Sequence, residues 1–447
     1  MEAERFSIDG VGEWEVMVPP TVYPPKEDTM MLCNVISKLP SNPGSRAMEI
    51  GCGSGLVSIV LGTLGWEVTA CDVNPYAVAC TRGNLEANGL SGMARIFEAD
   101  IGSDFSIPED TDLIVWNLPY LEEDPASSGI LEKIEEAALA DIADGGWGRV
   151  LLQILENYNT TLTENVTVIL VMRTEPEGTS RVFDWEQNGW SWRSLGMERF
   201  GSEKIEAICF WRTGSGDEVT KLDSCKSTMD EAEELSGDGW QRVLSKRQVD
   251  GRGRRGNSWI SEEGGLFATW ILDFKLLETI SPGIIQTSIG AVVSKVLGGN
   301  MKWPNDIVDE KGEKIGGVLV ESSNKSKIRV GVGANRTGFV EGGVVGSGWE
   351  ETIGQVDSSE VFLRIDREIS SLFESKKMIP FPEVGFLAGL SWMELSRLLS
   401  KGAITSKDGQ FYRPTGLKKS GGLELVGDEI KTGSEDLDEI QWIFPRD

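Results

Sequence analysis

Met48–Leu56 reads MEIGCGSGL. The segment Ser45–Ile50 leads into it as a strand, and VSIVLGTLG after it reads as a helix. A glycine turn between a strand and a helix is where an open α/β sheet binds ligands. Gly51, Gly53 and Gly55 let the main chain approach a ligand closely. Their spacing is tighter than the dinucleotide pattern GxGxxG, and Glu49 precedes the first glycine. Working outward, Trp66–Asp72 (WEVTACD) is a second strand and Pro75–Asn88 a helix. Ala94–Ala99, Asp112–Trp116, Val166–Met172 and Ile205–Trp211 are further strands. Strands separated by helices predict an α/β domain with a parallel, doubly wound, Rossmann-like sheet. The strand after the turn ends in Asp72, whose carboxylate can take both hydroxyls of a ribose. Asp100 ends the next and is suited to accept from an adenine amino group. A glycine run alone is a structural turn; with two strand-terminal acids it points to a nucleoside cofactor.

The chain has 447 residues and a formal charge of −28. Its length suggests about three domains. No run of about 18 apolar residues is present, so no membrane span is expected. The opening MEAERFSIDG has no apolar core, and a cytoplasmic protein is expected. So acidic a surface repels phosphate backbones, and an anionic ligand needs a local positive pocket. Cys33, Cys52, Cys71, Cys80, Cys209 and Cys225 form no CxxC pair, so no zinc or redox motif is expected. Histidine is absent. That excludes Ser-His-Asp and Cys-His catalysis and HExxH metal sites. Chemistry falls to carboxylates, Lys, Arg, amides, the backbone or a bound cofactor.

The fourth strand ends in Asn117, Leu118, Pro119 and Tyr120. With VYPPKEDT at Val22–Thr29, EIGCGSG, DVNPYAVACT at Asp72–Thr81 and EKIEAICF, this tetrapeptide makes residues 15–212 resemble the class I S-adenosylmethionine-dependent methyltransferases. The match is to the HemK-like branch, which methylates glutamine amides. The resemblance implies S-adenosylmethionine as cofactor, held by Thr29, Glu49, the three glycines, Asp72 and Asp100. It implies the GGQ glutamine of a class I translation release factor as acceptor, and a small zinc-binding activator subunit as partner. An amide nitrogen is a poor nucleophile because its lone pair is delocalised. The Asn117 side-chain oxygen and the Leu118 carbonyl can each accept one amide N–H, aiming the lone pair at the sulfonium methyl, while Tyr120 packs on the amide plane. Orientation in a dry site does most of the work. Leu118 stands where the glutamine enzymes have proline, and NLPY also occurs in enzymes that methylate adenine N6 in RNA. An RNA acceptor is therefore the alternative. A further alternative is an inactive, RNA-binding first domain.

Arg212–Glu218 (RTGSGDE) is a Gly/Ser-rich junction, and the pattern changes after it. Gly251–Gly256 (GRGRRG) matches GxGxxG literally, but no βαβ unit surrounds it. On its own it is a solvated basic loop. Downstream come Lys302–Ile307 (KWPNDI), Lys314–Glu321 (KIGGVLVE) and Gly331–Asn335 (GVGAN). With Ser227, Thr228 and Gln248, these stand in the order seen in biotin protein ligases, which residues 218–447 resemble. The resemblance implies biotin and ATP with Mg2+ as ligands, and biotinyl-5'-AMP as the activated species. Two anions must meet there, so fixed positive charge is required. By the family pattern, Gly251, Arg252 and Arg254 close over the adenylate, and Thr228 and Gln248 hold the biotin ring. Lys314, with Lys302 and Gly317 in the neighbouring motifs, holds the carboxylate and phosphate. Trp259 and Asn335 lie near the adenine, and Asp306 orients the acceptor lysine of a biotin carboxyl carrier protein. Met229 replaces the asparagine usual after Ser-Thr. The chain is thus expected to be a fusion, with a methyltransferase at 1–214, an α+β ligase domain at 215–395 and a small β-barrel at 396–447. A methyltransferase occupies the end where many bacterial ligases carry a helix-turn-helix, so no operator DNA binding is expected.

Overall fold

In the computed structural model the chain divides into two compact units, Met1–Ser215 with Lys376–Ile379, and Gly216–Ser375 with Pro380–Asp447. The structure describes all residues except 1–2, 41–43, 104, 120–144, 159, 254–257, 260–262, 323–326, 342–343, 377, 428–430, 436–438 and 445–447. Among the described residues no helix is long and apolar enough to cross a membrane.

In the first unit β1 (Glu4–Ile8) and β2 (Gly12–Val16) form a hairpin. The main sheet takes β3 (Arg46–Ile50), β4 (Glu67–Asp72), β5 (Ala94–Glu98), β6 (Leu113–Asn117), β7 (Thr167–Glu175), β8 (Trp190–Phe200) and β9 (Glu203–Arg212), in the order β5-β4-β3-β6-β7-β9-β8. The first five strands are parallel. β9 is antiparallel to both β7 and β8. This corrects the expected all-parallel sheet. Phe200 pairs with Glu203, and Gly201 at φ +63° makes the tight turn between β8 and β9, so they run in opposite directions. Alternate residues face opposite layers. Leu113 and Val115 join the core beside helices Glu27–Ile36 and Leu56–Thr63. Ile114 and Trp116 join the core beside helix Trp147–Asn157. Burial on both faces explains why β6 is a continuous apolar run.

The second unit is built on β10 (Thr220–Leu222), β11 (Arg242–Ser245), β12 (Gly251–Arg252), β13 (Ser258–Trp259), β14 (Leu266–Leu272), β15 (Asn300–Lys302), β16 (Asp306–Val308), β17 (Lys314–Ser322), β18 (Ile328–Ala334), β19 (Phe339–Glu341) and β20 (Val344–Gly346). The sheet order is β10-β11-β14-β18-β17-β16-β15, with β20 attached to β17 and β19 to β20. β12 and β13 form a separate two-stranded ribbon. Helix Pro282–Val296 packs against this sheet. Ser281 caps it by accepting from Ile284 N, and Pro282 supplies a preset first turn. β21 (Ile404–Lys407), β22 (Gln410–Leu417), β23 (Leu423–Val426), β24 (Lys431–Ser434) and β25 (Gln441–Ile443) follow, in the order β24-β23-β22-β21-β25. Over the described residues this is an antiparallel sheet whose outer strands do not pair with each other.

Asp366, on helix Ser358–Phe373, ties the helix to the sheet. Its carboxylate accepts from Trp240 Nε1 and Trp270 Nε1 at 2.8 Å each and from Arg242 at 2.7 Å. Both charged side chains are buried. Burial pushes the Asp366 carboxyl up, with Arg242 and the indole donors pulling the other way. Asp366→Ala leaves Arg242 buried without its counter-charge. It is expected to destabilise the second unit by about 3–5 kcal/mol, read as a lower denaturant midpoint.

Candidate active sites

The first site is a cavity of about 320 Å³ at the carboxyl ends of β3, β4 and β6. Gly51, Gly53 and Gly55 have φ of +68°, +52° and +85°, a backbone that disfavours side chains. A Cβ on Gly55 would stand 2.9 Å from Thr81 Cγ2. Asp72 Oδ2 accepts from Gly53 N and its Oδ1 from Asn74 N, both at 2.9 Å. Asn74 in turn caps the next helix by accepting from Tyr76 N at 3.0 Å. One carboxylate therefore fixes the glycine turn, the end of β4 and the start of a helix.

Thr29, Glu49, Gly51, Gly53, Asp72, Asp100, Asn117, Leu118 and Pro119 all line this cavity. Gly55 caps helix Leu56–Thr63 just behind it. Tyr120 lies outside the described residues. Asp100 accepts from Gly102 N at 2.8 Å and is exposed. Burial raises Asp72, against the pull of the backbone N–H groups of Asn74 and Gly53. Burial also pushes Glu49 up to about 8, although Ser58 donates to it. Cys52 and Cys71 are pushed up by burial, Cys71 to about 12, so both stay thiols.

Asn117 ends β6. Its Nδ2 donates to Asp28 Oδ2 at 3.1 Å and lies 3.4 Å from Thr29 Oγ1. Its Oδ1 is buried and has no hydrogen-bond partner among the described residues. Leu118 N donates to Val171 O at 3.1 Å, which holds the strand end. Asp28 and Trp147 also line the cavity, and sequence reading passed over both. Asp28 was visible inside VYPPKEDT; Trp147 belongs to no motif.

The second site is a cavity of about 200 Å³ lined by Thr228, Gln248, Arg252, Trp259, Asp306, Lys314 and Gly317, among others. Gln248 Oε1 accepts from Thr228 N at 2.7 Å and Thr228 Oγ1 at 3.1 Å, and Thr269 Oγ1 donates to Thr228 Oγ1 at 2.9 Å. Thr269 is fully buried in β14 and no motif marks it. Lys314 Nζ stands 2.6 Å from Asp306 Oδ1, and Lys302 Nζ 3.3 Å from Oδ2. Burial works to raise Asp306, but the two ammonium groups outweigh it and hold the carboxyl below its usual range. Lys314 Nζ also lies 5.1 Å from the Trp259 ring centroid. A Cβ on Gly333 would stand 2.7 Å from Trp259 Cε2, so glycine there seats the indole. Arg252 pairs with Asp230. Gly251 pairs with Trp259 in the β12–β13 ribbon. Neither Gly251, Lys302 nor Asn335 lines the cavity. Asn335 is buried and donates to Lys314 O at 3.1 Å and Ser347 O at 3.2 Å, behind the lysine. Arg254 lies outside the described residues. Asn305 adds a buried Oδ1 without a partner among the described residues, while its Nδ2 donates to Val318 O at 3.0 Å.

Residues 28–177 match the model of the methyltransferase small domain, and residues 224–335 that of the biotin/lipoate A/B protein ligase family. The chain is a fusion of these two kinds of enzyme domain. The match to the first family occupies the amino-terminal part and the match to the second the carboxyl-terminal part. It is 33% identical over 121 residues to the ribosomal RNA small subunit methyltransferase C of Chromohalobacter salexigens, covering 27% of this chain and 35% of that protein. Over 125 residues it is 31% identical to the biotin–[acetyl-CoA-carboxylase] ligase of Paracoccus denitrificans, covering 26% and 51%. Over 155 residues it is 31% identical to the release factor glutamine methyltransferase of Bordetella pertussis, covering 32% and 57%. The chain spans from 35% to 57% of the length of these relatives.

Glu49 gives a pH signature. Its folded carboxyl titrates at about 8, above the ordinary 4.5, so ionising it costs folding free energy. The cost is absent below the ordinary value, grows as pH rises to about 8 and is constant above. Glu49→Gln removes it. The variant's stability advantage over wild type is expected to widen through that window to roughly 5 kcal/mol, read from denaturation midpoints taken below, within and above it.

Proposed function

We propose that the chain is bifunctional. The first unit transfers a methyl group from S-adenosylmethionine to the side-chain amide of a protein glutamine, the acceptor being a class I release factor. The second joins biotin to a lysine of a biotin carboxyl carrier protein, using ATP as its magnesium complex. The observation that carries the first reading is the bare, buried Oδ1 of Asn117 at the wall of the acid-lined cavity.

The first cavity fits an adenosyl sulfonium. Glycines at positive φ present main chain to it, and the Asp72 carboxylate is available to a ribose diol. A bound sulfonium cation would favour the ionised form of Glu49, which burial otherwise keeps protonated up to about pH 8. The bound sulfonium supplies an electrophilic methyl group. Asn117 Oδ1 and the Leu118 carbonyl accept the two N–H bonds of the incoming amide and turn its nitrogen toward that methyl. A small activator subunit is the expected partner of this unit. A second reading has ribosomal RNA as acceptor, which the Chromohalobacter relative favours. The chain's charge of −28 opposes it, since phosphate backbones are repelled.

In the second cavity Thr228 and Gln248 hold the ring end of biotin, with Thr269 supporting Thr228. Lys314 exchanges its ion pair with Asp306 for the carboxylate and the phosphate. Asp306, freed from Lys314, orients the neutral amine of the acceptor lysine for attack on the activated carbonyl, AMP being the leaving group. Asn335 acts from behind, through the Lys314 carbonyl. By the family resemblance, the role of closing over the adenylate falls to Arg252 and Arg254 of GRGRRG, and the terminal antiparallel sheet takes the part of the ligase's small C-terminal domain.

The ligase test supplies ATP, labelled biotin and a carrier domain to the full chain. Label on the carrier lysine supports the reading, and its absence sinks it. Lys314→Met is expected to lower carrier biotinylation about 100-fold or more. For the first unit, methyl label is followed into release factor and into small-subunit ribosomal RNA, with and without an activator subunit. Asn117→Ala is expected to abolish transfer while S-adenosylhomocysteine still binds; retained transfer removes Asn117 from the chemistry.

A further inference from the structure

We infer that Asp28 is a positioning residue, and that its carboxylate locks the Asn117 amide so that the first site presents an acceptor only. This rests on the methyl-transfer reading and narrows its substrates to nitrogen nucleophiles that still carry N–H. Asp28 is 4% exposed and sits in the first turn of helix Glu27–Ile36. Its Oδ1 accepts from Thr29 N at 2.7 Å and lies 3.3 Å from Thr29 Oγ1. That leaves Oδ2 facing Asn117 Nδ2 at 3.1 Å.

An asparagine side chain can turn over, exchanging oxygen and nitrogen at almost no steric cost. Either face could therefore meet a substrate, and a site that offered NH2 would repel the N–H bonds it has to receive. Here both Nδ2 hydrogens are directed away from the incoming group, one to Asp28 Oδ2 and one toward Thr29 Oγ1. Thr29 can accept there because its own hydroxyl hydrogen is free to point at Asp28 Oδ1. Turning the amide over would set Asn117 Oδ1 against a carboxylate oxygen inside a buried cluster, where like partial charges meet with little screening. The lock leaves Oδ1 bare in the structure. A primary amide or exocyclic amine donates to it. A nitrogen already carrying no hydrogen gains nothing there.

An asparagine at position 28 has one acceptor oxygen where aspartate has two. It cannot serve Thr29 N and Asn117 Nδ2 together, although its shape is unchanged. Asp28→Asn is tested beside wild type in three measurements. The first is methyl transfer to release factor and to small-subunit ribosomal RNA. The second is S-adenosylhomocysteine affinity by calorimetry. The third is the Asn117 side-chain NH2 pair in an asparagine-labelled sample, assigned by its loss in Asn117→Ala. The expected result is kcat lower by about 10- to 100-fold, with S-adenosylhomocysteine affinity kept and the NH2 pair shifted and exchanging faster. Unchanged kcat, or affinity falling in step with kcat, overturns the assignment. If wild type methylates neither acceptor, the functional reading fails by itself. The NH2 pair then decides the lock alone: a pair unmoved in Asp28→Asn overturns it.

Discussion

A carboxylate at the end of a buried strand needs N–H donors once water is gone, and Asp72 meets that need with two backbone groups, Gly53 N and Asn74 N, each at 2.9 Å. The rest of the first unit's site follows from this pairing. It sets the path of the glycine turn, and Thr81 Oγ1 reinforces it by donating to Gly53 O at 3.0 Å. It also aligns the residue that starts the next helix. The second unit solves the same problem with charged side chains. Asp306 is held by two lysines, and Asp366 by an arginine and two indoles.

The two cavities are electrostatic opposites within one acidic chain. Acids line the first, which suits a cationic ligand. The second gathers Arg252 and Lys314 on its wall and Lys302 beside Asp306, which suits anions. With no histidine in the sequence, proton balance at both falls to carboxylates and ammonium groups whose surroundings, rather than intrinsic chemistry, set their charge.

Much of this was legible in the residues. The strand–glycine–helix unit, Asp72 at its strand end and Asn117 after an apolar run were readable because short motifs and alternation encode them. Other features were not. The direction of β9 is set by which neighbours it meets, and an apolar run such as IEAICFW reads the same either way. Helix Pro282–Val296 is buried from Ile284 to Ser294 without a break, so it has no polar face to give a helical period. Thr269 looks like an ordinary strand threonine until β14 sets it beside Thr228. Asn335 carries a motif, yet its amide is spent on two backbone carbonyls.

Trp116 and Trp147 stand on the wall of the first cavity with ring centroids 6.2 Å apart. Trp116 Nε1 lies 3.2 Å from the point where a Cβ on Gly51 would sit. The pocket is therefore furnished with its own chromophores. Anything that fills it changes the polarity around two coupled indoles, so occupancy is written into the chain's near-ultraviolet dichroism and emission without any attached dye.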